Sequence, residues 1–312
     1  MVVDTILFGD CRETLKEFDG KARTCVTSPP YYGLRDYGGE ESQIGQEQTP
    51  EEYIQSLVEV FRSVRDVLTD DGTLWVNIGD SYYNYRPGKG QALPKQTVSK
   101  TKQDLPDKCA KRGNKLEGLK EKDLIGIPWM LAFALRADGW YLRQDIIWHK
   151  PNPMPESVKD RCTKSHEYIF LLSKNRKYYY NNEAIKEPVK QDWGTRDRTK
   201  GKYHNPGTGL APHSGLSKSY DRKNKRSVWS ITNKPYKGAH FACFPTDLIE
   251  PCILAGSREG DVILDPFMGS GTTAMVAKQH DRSYIGCELH EDYGSLIQKR
   301  LKAIPTKLPF DM

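Results

Sequence analysis

The sequence predicts an α/β fold built on a doubly wound, mostly parallel sheet. Its clearest helix spans residues 50–68, where apolar side chains recur on one face, and an acidic glycine turn at 70–72 is expected to separate it from a strand at 73–78. Further along, an apolar strand at 262–265 runs through a glycine turn into a helix that begins at Thr272. Because helices alternate with strands in this way, a doubly wound sheet is the expected architecture.

Further elements continue the same alternation. Residues 127–137 form a predicted helix that Asp138-Gly139 closes, and the segments 140–149 and 167–172 have the pattern of strands. With 312 residues, of which 37% are hydrophobic and 28% charged, the chain can bury one sizeable core and a smaller appendage. Two equal domains are therefore not expected.

Composition narrows the class of protein. The first residues lack a basic-then-apolar leader, and no stretch approaches the ~18 apolar residues of a membrane span, so a soluble, cytoplasmic protein without membrane contact is expected. The seven cysteines are scattered singly, without a Cys-x-x-Cys pair. That pattern argues against a disulfide framework and against a structural zinc site, and no metal ion is expected.

The tetrapeptide Ser28-Pro29-Pro30-Tyr31 follows an apolar strand at 24–27. Two consecutive prolines fix two φ angles and remove two N–H donors, so the surrounding carbonyls can serve a pocket as acceptors. Such a pocket suits an NH2 group, and the flat ring of Tyr31 suits stacking on a base that has left its helix. The simpler interpretation is a turn that ends a strand, with the tyrosine as ordinary packing.

The glycine turn at 265–272 indicates a nucleotide-type ligand. A phosphate loop would need a lysine after Gly271, where Thr272 stands, and the dinucleotide fingerprint would need a third glycine beyond Gly269 and Gly271. An acidic residue, Asp265, precedes the turn. Its charge would repel a pyrophosphate but attract a sulfonium or an amino group, both of which S-adenosylmethionine carries.

A second carboxylate, Glu288, ends the apolar strand at 283–288. An acidic residue about 20 positions beyond such a turn can accept hydrogen bonds from both hydroxyls of a ribose. A solvated strand end is the simpler interpretation. Spacing, strand context and the preceding turn together favour ribose binding.

These motifs together resemble the S-adenosylmethionine-dependent DNA amino-methyltransferases of the permuted β group, in which the catalytic motif precedes the cofactor motif. The tetrapeptide at 28–31 is similar to that family's catalytic tetrad and 265–271 to its cofactor loop. Asp10 is similar to the acid that approaches the adenine of the cofactor, and 240–246 to the segment that closes over the methionine end. The cofactor-binding residues that the resemblance implies are Asp10, Phe244, Pro245, Asp265, Phe267, Gly269, Ser270, Gly271, Thr272 and Glu288. It also implies S-adenosylmethionine as the cofactor and a sheet of seven strands, with the strand at 167–172 antiparallel.

Positive charge is concentrated in two segments of loop-like composition. Residues 84–122 carry a net +7 and residues 174–237 a net +11, so the remainder carries −12 within an overall charge of +6. Such segments are typical of binding to the phosphate backbone of double-stranded DNA, although lysine-rich loops can also be simply solvated. The DNA-binding residues that we predict from them are Lys89, Arg196, Arg198, Lys200, Arg222, Lys223, Lys225 and Arg226.

The expected organisation has three parts. Residues 1–173 form the catalytic half of a methyltransferase domain, which a mobile basic loop at 84–122 interrupts. Residues 174–237, where aromatic side chains are interleaved with cations and amides, form a target-recognition region. Residues 238–312 form the cofactor-binding half.

The expected activity is direct in-line methyl transfer to the exocyclic amine of a flipped base. In the family that the chain resembles, Ser at the first position of the tetrad, as with Ser28, is usual for cytosine N4, whereas Asp or Asn usually accompanies adenine N6. Cytosine C5 chemistry would need a cysteine nucleophile in a catalytic Pro-Cys turn; Pro251-Cys252 falls in the helix expected from about Asp247, so chemistry on an exocyclic nitrogen is favoured. Adenine N6 is the closest alternative, ahead of an RNA amino-methyltransferase or an inactive DNA-binding protein.

Two histidines and two partners are left open. His149 and His166 lie at strand ends near the expected pocket, but neither is assigned a catalytic role. The partners that the sequence leaves undecided are a cognate restriction endonuclease that is not physically bound and a second copy of the chain in a homodimer.

Overall fold

A single large sheet organises the chain in the computed structural model, which describes residues 3–34, 43–83, 116, 118–189, 221–233 and 244–304. The sheet has eight strands in the order β1-β10-β9-β2-β3-β5-β4-β8. These strands are β1 (Thr5–Phe8), β2 (Ala22–Thr27), β3 (Leu68–Ile78), β4 (Tyr141–His149), β5 (His166–Ser173), β8 (Val228–Ser230), β9 (Val262–Asp265) and β10 (Ser283–Glu288). The strands β6 (Glu187–Pro188) and β7 (Arg222–Lys223) form a separate antiparallel ribbon.

Helices cover both faces of the sheet, which confirms the doubly wound α/β prediction. The helices are α1 (Cys11–Thr14), α2 (Pro50–Val67), α3 (Ile127–Ala137), α4 (Thr246–Gly256), α5 (Thr272–Gln279) and α6 (Tyr293–Lys302). Buried side chains of α2 and α3 pack in one hydrophobic cluster, and those of α4, α5 and α6 pack in a second. Among the described helices, none is long and apolar enough to cross a membrane.

Helix α2 forms where the amphipathic pattern predicts it. Thr49 accepts a hydrogen bond from the backbone of Glu52, whose side chain bonds back to the Thr49 backbone, and Pro50 occupies the first turn. On the apolar face, Tyr53 and Phe61 are among the fully buried side chains. Burying this face against the sheet supplies most of the stability of such a helix.

The turn predicted at 70–72 does not separate the helix from the strand. Strand β3 begins at Leu68, directly after α2, and the acidic residues lie in an irregular stretch within it. Ala22 of β2 pairs with Leu68 and Thr24 pairs with Thr73, so β3 has more residues than β2 between these two pairs. A Cβ on Gly72 would lie 2.9 Å from the carbonyl oxygen of Thr69, which explains a glycine here. Turn-like composition therefore marks a bulge rather than a break.

The antiparallel pairing of β5 is confirmed, since β5 runs antiparallel to both β3 and β4. The sheet has one strand more than the seven that the family resemblance implies. Strand β8, which comes from the segment expected to recognise the target, pairs in parallel with the edge of β4. Tyr168 stands opposite Ile78, and His166 stands opposite His149. The start of β5 and the end of β4 therefore lie at the sheet edge where the parallel strands have their carboxyl ends.

Part of the predicted DNA-binding surface lies outside the described residues. This applies to most of the basic loop at 84–122 and to the middle of the region at 174–237. The predicted DNA-binding residues outside the description are Lys89, Arg196, Arg198 and Lys200.

Candidate active site

The glycine turn between β9 and α5 approaches its neighbours too closely for side chains. Gly269 and Gly271 adopt φ angles of 54° and 79°, in the left-handed region that favours glycine. A Cβ on Gly271 would lie 2.9 Å from Cγ2 of Ile297 in α6. The N–H of Gly269 donates to Oε2 of Glu288 at 2.7 Å. The turn is thereby fixed against the end of β10 before any ligand arrives.

Asp265 is buried beneath this turn, with 1% of its surface exposed. Its carboxylate accepts hydrogen bonds from Thr27 Oγ1 at 2.6 Å, from Thr273 Oγ1 at 2.6 Å and from the N–H of Phe267 at 3.0 Å. Burial raises the pKa of Asp265 to about 6, although the hydroxyl and backbone donors act in the opposite direction. Its charge is thus committed to internal donors, so it holds the turn in place rather than facing a sulfonium directly.

Glu288 ends β10 next to the turn. Its two carboxylate oxygens accept from the N–H groups of Gly269 and His290, the second at 3.1 Å. Burial raises its pKa. A carboxylate has about four lone-pair sites, so roughly two are left for hydroxyl donors such as those of a ribose.

Asp10 caps α1 just after the end of β1, and it lies close to the end of β10 because Phe8 of β1 pairs with Glu288 and Gly9 donates to the Glu288 carbonyl oxygen at 2.9 Å. Its carboxylate accepts from the backbone and the guanidinium of Arg12. Burial alone would raise the pKa of Asp10, but these bonds lower it overall. The carboxylate of Asp10 is therefore charged at neutral pH, and it lies at the sheet edge where β1 and β10 have their carboxyl ends.

The remaining predicted cofactor residues surround this edge. Arg300 of α6 donates to the carbonyl of Ser270 at 2.8 Å and to Oγ1 of Thr272 at 3.1 Å, which ties α6 to the turn. Pro245 immediately precedes α4, and Phe244 packs against the hydrophobic cluster on the α4 side of the sheet. Arg300 belongs to no motif in the sequence, and its contact with the turn is visible only in the structure.

The tetrapeptide Ser28–Tyr31 follows the strand that lies beside the one leading into the glycine turn. Ser28 follows β2, and β2 lies beside β9 with Cys25 paired to Leu264. The bond from Thr27 to Asp265 joins the two motifs at the residue before Ser28. This bond brings the residue before the tetrapeptide together with the first residue of the predicted cofactor loop.

Not every carbonyl of the tetrapeptide is available to a base. Tyr53 of α2 donates its hydroxyl to the carbonyl of Pro30 at 2.7 Å, and Leu34 donates its N–H to the carbonyl of Tyr31 at 3.2 Å. Within the described parts of the chain, nothing donates to the carbonyl of Pro29. The carbonyls of Pro30 and Tyr31 therefore already accept hydrogen bonds from within the protein.

Tyr31 is held at both its ring and its hydroxyl. A Cβ on Gly79 would lie 2.7 Å from Cε2 of the ring, so the ring packs against the backbone that follows β3. Its hydroxyl donates to Oε2 of Glu167 at 2.7 Å. Burial and the Glu167 charge raise the pKa of Tyr31 well above its usual value, while hydrogen bonding by Ser28 acts in the opposite direction.

The sequence patterns alone do not reveal Glu167, Lys150 and Asn77. Glu167 and Asn77 contact the Tyr31 hydroxyl, and Lys150 pairs with Glu167. His149 bonds Ser230 Oγ through Nδ1 at 3.0 Å, on the β8 side. The antiparallel pairing of β5 with β3, in which Tyr168 stands opposite Ile78, places Glu167 near Asn77 and the tetrapeptide.

The described basic residues of the predicted DNA surface form one cluster on and beside the β6–β7 ribbon. Arg226 Nε lies 2.6 Å and Lys223 Nζ 3.4 Å from Oε1 of Glu187. Lys225 Nζ lies 4.9 Å from the ring centroid of Trp229, and Arg222 donates to the carbonyl of Lys186 at 2.8 Å. These cations are thus held in place but keep donors that phosphates could use.

Across the described part of the chain, no three His, Cys, Asp or Glu side chains are grouped to hold a metal. Cys25 and Cys252 are buried, and burial raises the pKa of both thiols. A thiol in that state is a poor nucleophile.

The fold and the site define a methyltransferase of the doubly wound α/β class. The sequence model of the DNA methylase family matches residues 22–299. This chain therefore belongs to the family of S-adenosylmethionine-dependent DNA methyltransferases that act on amino groups of bases. The cradle of left-handed glycines and the acids at the ends of β1 and β10 fit that cofactor.

Similar proteins extend along nearly the whole chain. Over 302 residues it is 48% identical to the Type II methyltransferase M.SmaI of Serratia marcescens, covering 95% of this chain and 90% of that one. It is 47% identical to M.Cfr9I of Citrobacter freundii, covering 97% and 89%. In structure it resembles the cytosine-N4-specific PvuII DNA methyltransferase with a TM-score of 0.62, 18% identity and coverage of 100% and 89%. It also resembles TTHA0409 of Thermus thermophilus, solved in complex with S-adenosylmethionine, with a TM-score of 0.59, 22% identity and coverage of 98% and 96%. At these identities the two solved structures show the fold alone.

Proposed function

We propose that the chain methylates the exocyclic N4 of cytosine at a specific site in duplex DNA, by base flipping and direct in-line transfer. The observation that carries the proposal is the contact between the two motifs, where Thr27 donates to Asp265 one residue before Ser28. It supports placing the amine-accepting groups beside the cofactor turn. The presence of Ser at position 28, rather than Asp or Asn, favours cytosine over adenine.

The chemistry rests on holding a weak nucleophile in a reactive geometry. The lone pair of a base amine is delocalised into the ring, so the amine must be turned until that pair faces the methyl group. The Ser28 hydroxyl and the Pro29 carbonyl would accept the two N–H bonds, fix this geometry and stabilise the positive charge that develops on nitrogen. Bound S-adenosylmethionine supplies an electrophilic methyl group on a sulfonium.

Pro29 rather than Pro30 is the carbonyl in this proposal. The Tyr53 hydroxyl already occupies the Pro30 oxygen at 2.7 Å. That bond also fixes the orientation of the peptide between Pro30 and Tyr31. A backbone whose φ angles are set by two prolines loses little further freedom when the base binds.

Extrusion of the base is part of the proposal because the amine of a stacked base cannot reach a pocket at the sheet edge. Tyr31 would stack on the extruded base. The cluster formed by Arg222, Lys223, Lys225 and Arg226, together with the rest of 174–237, would recognise the duplex. The relatives named above are Type II methyltransferases, which favours a role beside a cognate restriction endonuclease that is not physically bound.

Nucleoside mass spectrometry of DNA treated with the protein and S-adenosylmethionine tests the proposal. Incubation with a plasmid of mixed sequence should produce N4-methyldeoxycytidine, and omission of the cofactor should abolish it. N6-methyldeoxyadenosine as the sole product would assign the reaction to adenine instead. Methylation of RNA in preference to DNA, or no methylation of either, would overturn the proposal as a whole.

A further inference from the structure

A compact polar network lies behind the tetrapeptide, at the ends of β3, β4 and β5. Glu167 at the start of β5 accepts from the hydroxyl of Tyr31 at 2.7 Å and from Nδ2 of Asn77 at 3.3 Å. Lys150, just after β4, forms an ion pair with its other oxygen. The side chains of Glu167 and Lys150 are only 15% and 16% exposed. One carboxylate therefore connects three strands to Tyr31.

The network is fixed from several directions. The backbone N–H of Lys150 donates to the carbonyl of Ser165 at 2.7 Å, and its Nζ lies 4.2 Å from the ring centroid of Trp148. Asn77 also donates to the carbonyl of Tyr168 at 3.1 Å. A largely buried carboxylate is costly unless a counter-charge and hydrogen bonds compensate it, and here both are present. Glu167 thus has little freedom to move.

The chemistry of Glu167 gives this network a direction. A carboxylate only accepts hydrogen bonds, so the Tyr31 hydroxyl must use its single hydrogen on Glu167. The oxygen of Tyr31 can then only accept from its other neighbours.

The ring of Tyr31 is constrained by the same residues. A Cβ on Gly79 would lie 2.7 Å from Tyr31 Cε2 and 3.4 Å from Cδ of Glu167, so ring, carboxylate and glycine backbone meet at one point. Any side chain at position 79 would displace the ring or the carboxylate. The plane of the ring is thus set at its packed edge and at its hydroxyl.

We propose that Glu167 is a positioning residue for methyl transfer, which holds the Tyr31 ring ready for the extruded base. This inference rests on the proposed function and adds a group that does not touch the substrate. Lys150 acts on the reaction through Glu167, whereas Asn77 contacts both Glu167 and, at 3.4 Å, the Tyr31 hydroxyl.

The test measures single-turnover methylation of DNA by the variants Glu167→Ala, Glu167→Gln and Tyr31→Phe and by the double variant Glu167→Ala/Tyr31→Phe. Tyr31→Phe removes the hydroxyl, keeps the ring and leaves the Lys150 ion pair intact. Glu250→Gln is the matched control. It removes an exposed carboxylate on α4, which pairs with His280 at 2.9 Å. Thermal unfolding and cofactor titration are recorded for every variant.

Glu167→Ala and Tyr31→Phe should each slow methyl transfer by about 10- to 100-fold, the range for losing a hydrogen bond to a charged group. Cofactor affinity should stay unchanged. The double variant should be no slower than the slower single variant, because both changes break one contact. Glu167→Gln keeps an acceptor for the hydroxyl and should recover part of the rate. The Glu250 control should match the unaltered protein.

Additive effects of the two single changes, or unchanged rates, would overturn the inference. So would a loss in cofactor affinity as large as the loss in rate. If Glu167→Ala fails to fold, Tyr31→Phe and Glu167→Gln still decide the question, since each leaves Lys150 with a neighbour. The unaltered protein separates this inference from the proposed function. If that protein fails to methylate DNA, the proposed function is refuted. If it methylates DNA normally but the effects of the Glu167 and Tyr31 changes on the rate are additive, only the role of Glu167 is refuted.

Discussion

The buried carboxyl of Asp265 should make the stability of the protein depend on pH in a way that a single substitution removes. Asp265→Asn is the perturbation. In the folded chain its pKa is about 6, against an ordinary value of 3.8, chiefly because burial penalises the charged form. The displacement corresponds to roughly 3 kcal/mol of folding free energy.

The sign follows from proton binding. A carboxyl whose pKa is higher in the folded than in the unfolded state binds a proton more tightly when folded. The stability that this proton provides is fully present below pH 3.8, and it is lost progressively as the pH rises to about 6. Above that range the contribution is constant. Asn at this position cannot titrate, so the variant lacks this loss.

Urea denaturation of both proteins, at about six pH values between 4.5 and 8, measures the effect. The informative quantity at each pH is the difference between the free energies of unfolding of the two proteins. We expect the difference to shift in favour of the variant as the pH rises to about 6 and then to level off. Asp70→Asn, at a side chain that is 95% exposed, is the control and should give a flat difference. Parallel pH profiles for the unaltered protein and Asp265→Asn would refute the assignment of a raised pKa to this carboxyl.

Three further changes probe the site and the DNA surface. Tyr31→Ala should lower turnover by about 10- to 100-fold through lost stacking while cofactor titration stays unchanged, and an unaltered single-turnover rate would count against stacking. Gly271→Ala should destabilise the fold by roughly 1 kcal/mol or more and weaken cofactor binding, because φ is 79° and the new methyl would meet Ile297; equal melting temperatures would contradict this. Neutral substitutions in the basic cluster should weaken DNA binding and reduce the salt slope of log K by about 0.9 for each phosphate that the variant no longer neutralises, whereas an unchanged slope would remove the cluster from the interface. The cluster residues to be replaced together are Arg222, Lys223, Lys225 and Arg226.

Local pattern predicted the elements and the order of the motifs well. The helix at 50–68 carries its own capping box and apolar face, and the glycine turn before Thr272 carries its own helix start. Both signals depend on residues that are close in sequence. The irregular stretch at 70–72 shows the limit, because the same composition marks a turn or a bulge, and only pairing with β2 decides which.

Contacts between distant residues could not be predicted in this way. Thr27 and Asp265 are 238 positions apart, and the Tyr53 hydroxyl reaches Pro30 from another helix. Charge alone placed Asp265 against a ligand, because a single sequence does not show the buried hydroxyls that surround it. The same limit applies to Glu167, since its importance comes from sheet register rather than from a motif.

The strand order has a consequence for synthesis of the protein on the ribosome. Strands β1 and β2 are made first, yet β10 and β9 separate them in the finished sheet. Until those late strands emerge, β2 lacks its neighbour on one side, and Thr27 has no acceptor at Asp265. Long-range pairing of this kind slows folding and leaves sheet edges exposed in the nascent chain. A truncated translation product that stops before β9 would therefore lack the assembled reaction centre, although it contains the whole tetrapeptide.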